Sequence, residues 1–125
     1  MRILAPISLG ELIDKITILE LKQELINDRA KLQNINNELD ELNAILKTLL
    51  IQPFPQSQRE ALKAVNRDLW HIENFKRECE ATGRFDRAFI QAGREVYLKN
   101  DLRAQIKKDI NTKTGSAIVE EKSYK

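Results

Sequence analysis

The sequence has one cysteine, one histidine and one tryptophan, and aromatic residues make up only 6% of it. A lone thiol cannot pair within the chain, which excludes the disulfide-stapled scaffold of a small secreted domain. No run approaches the roughly 18 uncharged apolar residues of a membrane span. Glu11, Asp14 and Lys15 interrupt the apolar residues near the N-terminus, and no small-residue cleavage site follows, so that stretch does not read as a secretory signal. Neither charge dominates: 21 Lys and Arg stand against 19 Asp and Glu, a net of +2. These features predict a cytoplasmic protein without membrane contact.

Catalytic chemistry is as sparse. There is no Gly-rich phosphate loop and no nucleophile elbow. His71 follows Trp70 with no second His or Cys at ligand spacing, so no metal site is expected. Cys79 reads as a small buried hydrophobe, because the one candidate base, His71, is eight residues away. The sequence therefore names no catalytic residue, no metal ligand and no cofactor.

What is present is helical patterning. Apolar residues make up 42% of 125 residues, enough for the core of one domain. Ser8-Leu9-Gly10-Glu11 has the form of a capping box, flanked by Ile7 and Leu12 as a hydrophobic staple. Ser57-Gln58-Arg59-Glu60 repeats the box after Pro53 and Pro55. Gly83 suits the left-handed residue that ends a helix. Asp86 suits an N-cap, with Phe85 and Ile90 as its staple. The expectation is an all-α single domain over 1–125. A long first helix over about 8–50 forms an antiparallel hairpin or three-helix bundle with two shorter helices, over about 57–82 and 86–112. A short non-helical tail occupies 113–125. It either frays, packs on the bundle, or pairs with Arg2-Ile3-Leu4-Ala5 as a short ribbon.

The first helix carries two apolar frames. One is Leu9, Leu12, Ile16 and Leu19; the other runs from Ile18 through Leu32, Ile35, Leu39, Leu42, Leu46 and Leu49 in a heptad rhythm, broken by Asp28. Where the frames overlap, apolar residues cover a wide arc, so that stretch should be enclosed on several sides. An unbroken helix of this length would reach ~60 Å, against ~40 Å for the other two. Either it breaks near Asn27-Asp28, or a second chain covers the Leu32–Leu49 seam. The heptad rhythm favours the second chain, hence a homodimer.

Charge is uneven along the chain. Residues 1–50 are acidic on balance, and residues 83–125 are basic. Two polar clusters stand out. One is Glu11, Asp14, Lys15, Thr17, Glu20 and Lys22 in the most apolar part of the first helix. The other is Arg94, Tyr97, Asn100, Asp101 and Arg103 on the third. A network joining them would either fix helix register or hold a carboxylate or phosphate ligand. Nucleic-acid binding is disfavoured, because the basic residues are interleaved with acidic ones.

The run Glu11-Leu12-Ile13-Asp14-Lys15-Ile16 is weakly similar to the opening of short all-helical chorismate mutases. A broader resemblance rests on several blocks: Ile7 to Leu19, Asp68 to Glu73, Val96 to Ala104, and Ile118 to Tyr124. In these the chain resembles a bacterial and phage domain family of unknown function. The resemblance implies one intact domain that includes the tail, and no established activity. The functional expectation is a non-catalytic helical interaction or oligomerisation module with a possible protein partner. The alternative is an anionic-ligand binder or isomerase-like helical enzyme, using Arg and Lys of the first and third helices.

Overall fold

In the computed structural model, which describes residues 1–123, four helices follow one another: α1 (Leu9–Leu25), α2 (Arg29–Thr48), α3 (Gln56–Thr82) and α4 (Arg87–Thr114). Three of the expected end signals act as read. The Ser8 hydroxyl accepts from the Glu11 amide at 3.1 Å, and Asp86 accepts from the Phe89 amide at 3.3 Å. Gly83 closes α3 with φ +69°. The capping box at Ser57 does not form. α3 starts one residue earlier, at Gln56, with Pro55 before it and no side-chain cap. Glu60 accepts instead from the Gln56 side chain.

The expected long first helix is two helices. Ile26 leaves the helical conformation with φ −98° and ψ 135°, and Asp28 caps a new helix by accepting from the Lys31 amide at 3.0 Å. The physical reason is burial. Breaking the helix sacrifices a few backbone hydrogen bonds, but it lets α2 fold back on α1. Ile35 and Leu39 then bury against Leu12, Ile16 and Leu19, with Leu32, Leu42 and Leu46 packed at the edge. Each large apolar side chain so enclosed contributes roughly 1.5–3 kcal/mol. The Leu32–Leu49 seam is thus covered from within the chain by α1. Only Leu49 at its end stays exposed. The overhang that called for a second chain does not exist.

α1 is the hub, in contact with all three other helices. Its opposite face places Ile13 with Leu62 and Val65 of α3 and Ile106 and Ile110 of α4. The wide apolar arc of α1 matches this enclosure on several sides. α4 runs two residues beyond the expected end, to Thr114, with Gly115 as its cap.

The tail docks. After Gly115 it turns back along α4, where Glu120 pairs with Lys107, Glu121 with Lys108, and Lys122 with Asp101. No ribbon with residues 2–5 forms among the described residues; Arg2 pairs with Glu41 of α2 instead. Tyr124 and Lys125, which close the expected tail, lie outside the described residues.

Candidate functional site

The densest polar arrangement lies where α1 crosses α3 and α4. Asp14 is fully enclosed, and Arg103 of α4 meets its carboxylate side-on. Nε donates to Oδ1 at 3.0 Å, and a terminal nitrogen donates to Oδ2. Asn66 of α3 donates to the same Oδ1 at 2.9 Å and to the Thr17 hydroxyl at 3.1 Å. Thr17 in turn donates to the Asp14 carbonyl at 2.8 Å. A carboxylate can be buried only if its lone pairs are met, and these are. The hydrogen bond to Asp14 also raises the Arg103 pKa further above its ordinary value.

A second knot lies one turn along α4. Burial works to lower the pKa of Lys107, but hydrogen bonds to Glu11 at 2.6 Å and Glu120 at 2.8 Å overcome it and raise it instead. The ammonium conversely holds the Glu120 carboxyl below its ordinary range. Lys15 reaches Glu11 from the solvent side at 3.6 Å. Beside this knot the two helices nearly touch. A Cβ on Gly10 would stand 2.6 Å from the Lys107 carbonyl oxygen, and the Gly10 amide donates to buried Asn111 at 2.7 Å. The first amides of α1 are therefore committed to Ser116, Asn111 and Ser8.

Of the residues singled out in the sequence, Glu11, Asp14, Lys15 and Arg103 converge here. Arg94 and Tyr97 do not: both lie on the outer face of α4, exposed. Asp101 pairs with Lys122 of the tail at 3.1 Å. The sequence reading missed Asn66, Lys107, Asn111 and Glu120. One signal was available for Asn66. It interrupts the apolar stripe of α3 beside Leu62, Val65 and Leu69, a position where a polar side chain needs a partner.

Arg103 and Asn66 also form part of the wall of a cleft of about 410 Å³ between α1, α3 and α4. Ile18 and Leu21 make its α1 side, and Leu69 and Trp70 its α3 side. Among the described residues, no group of three or more His, Cys, Asp or Glu could hold a metal ion. Cys79 is buried, as its place on the α3 stripe suggests. No helix among the described residues is long and apolar enough to cross a membrane.

A family model described as "Family of unknown function (DUF6165)" matches residues 3–125. No curated protein and no solved structure matches the chain.

Proposed function

We propose, from the premise that the chain belongs to the DUF6165 family, that it acts as a non-catalytic helical interaction module. One observation carries this reading: the interior charges are satisfied within the chain. Asp14 is met by Arg103 and Asn66, and Lys107 by Glu11 and Glu120. A site built for acid–base chemistry or anion capture keeps a strong charge turned toward a cavity. Here the charges are spent on holding α1 against α3 and α4. Large apolar side chains remain outside, with Tyr97, Leu98 and Leu102 on α4 and Ile3 and Leu4 before α1. Exposed groups of this kind supply contact area for a partner. The partner is a different chain rather than a copy held through Leu32–Leu49, because α1 already covers that seam.

Thermal melting in inorganic phosphate and in citrate tests the reading. The expected result is no saturable rise in Tm beyond that given by sodium chloride at equal ionic strength. A saturable rise that Lys15→Ala or Arg94→Ala removes would install the anion-binding reading instead. Both side chains lie at the surface, so neither substitution should disturb the fold.

A further inference from the structure

The cleft between α1, α3 and α4 has an unusual balance of polar groups. Asn66 is 6% exposed, and its amide can lie only one way round. The carboxylate of Asp14 accepts and cannot donate, so the Asn66 NH2 must face it. Both N–H groups are then used inward, on Asp14 and Thr17. Oδ1 is left without a protein partner among the described residues. No buried side-chain oxygen or nitrogen lacks a partner there, so Oδ1 is accessible to solvent, and the cleft is the surface that Asn66 lines. Arg103 spends Nε and one terminal nitrogen on Asp14, which leaves the other terminal nitrogen as a donor on the same wall. The Asn74 and Asn100 amides at the rim have no hydrogen-bond partner among the described residues either.

The cleft is nearly uncharged despite this. Asp14 neutralises Arg103, and Lys76 lies 3.5 Å from the Glu73 carboxylate at the rim. Phosphates and carboxylates find no net attraction here. A polyhydroxylated ring lays its C–H face on aromatic rings and needs polar partners all around its edge, whereas three of the four apolar wall residues, Ile18, Leu21 and Leu69, are aliphatic. A helical ligand would bring no free amides, since its own are paired internally. An extended peptide fits both halves of the surface. Each of its units carries one N–H and one C=O, the pair that an asparagine amide can satisfy. Its alternate side chains can seat on an apolar wall. The span agrees as well: Asn66 and Asn74 are separated by roughly 12 Å along α3, about four residues of extended chain.

We propose that this cleft is a groove for an uncharged, extended peptide segment of a partner protein. One apolar side chain lies on Ile18, Leu21 and Leu69, and the flanking main-chain amides bridge Asn66, Asn74 and Asn100. The proposal rests on the interaction-module reading and assigns it a site.

Trp70 is the only tryptophan in the chain, so its emission reports this cleft alone. The experiment pans a displayed library of random dodecapeptides on the full chain, then titrates the enriched peptides while following Trp70 fluorescence. The expected result is a saturable change in emission. Asn74→Ala or Asn100→Ala should weaken affinity by about tenfold, the loss of one or two hydrogen bonds, while melting with the parent. N-methylation of one central peptide bond should weaken it similarly. Peptides that leave Trp70 unmoved and bind both variants as well as the parent would overturn the groove, yet leave the interaction module standing. Failure to enrich any peptide overturns the groove likewise. A phosphate or citrate response in melting, by contrast, would overturn the interaction module itself.

Discussion

α1 meets α2 and α4 in opposite ways. Toward α2 it presents Leu12, Ile16 and Leu19 to Ile35 and Leu39, and the hydrogen bond joining the two helices, Gln23 to Asn36 at 2.8 Å, is at the surface. Toward α4 it presents Asp14 to Arg103, Glu11 to Lys107 and the Gly10 amide to Asn111. Apolar burial is non-directional and scales with area. Hydrogen-bonded charge pairs demand one register, and they cost heavily when half broken. One helix therefore has a face that tolerates repacking and a face that does not.

Four measurements would break or sharpen that contrast. The largest effect should come from Asp14→Ala, which strands Arg103 and Asn66 at a buried site. Because Arg103 keeps some solvent contact, the loss should be near the lower end for a broken buried pair, about 3 kcal/mol by urea unfolding. A loss no larger than that of an exposed pair would erase the contrast. Leu39→Ala on the tolerant face should cost about 2 kcal/mol, at the low end for a core truncation because the helix can settle. Leu39→Met, which conserves volume, should cost less than about 1.5 kcal/mol. Gly10→Ala should cost about 1 kcal/mol net: the added Cβ meets a carbonyl oxygen that cannot step aside, and this outweighs the better helix propensity of Ala. An increase in stability would show that α1 and α4 can part freely.

The smallest effect concerns the tail and pH. Glu120 is held below its ordinary 4.5 by Lys107, so its contribution is full above that value and is lost as pH falls through the lowered one. Lys107 is held above 10.5, so its contribution is full below 10.5 and fades as pH rises past the raised value. Glu120 is mostly solvated, which limits the contribution to less than about 1 kcal/mol. Measured against the intrinsic exchange rate at each pH, the amide protection of residues 116–123 should fall in acid while that of α1 stays unchanged. Glu120→Gln should remove the acid dependence. Equal protection at neutral and acid pH would mean that the ion pairs do not hold the tail.

Much of the helical layout was legible because its signals are local. Ser8, Asp86 and Gly83 act at the ends that their chemistry suggested. The heptad rhythm from Leu32 to Leu49 marked a real packing seam but not its partner. The same pattern serves a second chain or a hairpin, and the choice hangs on three residues, Ile26 to Asp28, whose only cue was one aspartate. The Ser57 box failed because Pro55 already fixes the chain entering α3. The candidate site was half legible. A charge among apolar neighbours, as at Asp14, signals that a partner must exist, but the partner is 89 residues away in the sequence. Spacing along one helix could place Arg94, Tyr97 and Arg103 on related turns; it could not tell which of them faces α1.

The long reach of Asp14 also bears on how the chain is made. α1 and α2 leave the ribosome as neighbours and hold everything needed to close their shared apolar face. The carboxylate on the other side has to wait in water until α4 emerges, since Arg103 lies 89 residues further on. A nascent chain can therefore zip its first hairpin early, yet it cannot complete the interior around α1 until α4 has been synthesised. A ribosome stalled before α4 would display a hairpin with one finished face and one that carries apolar Ile13 beside a carboxylate still waiting for its guanidinium.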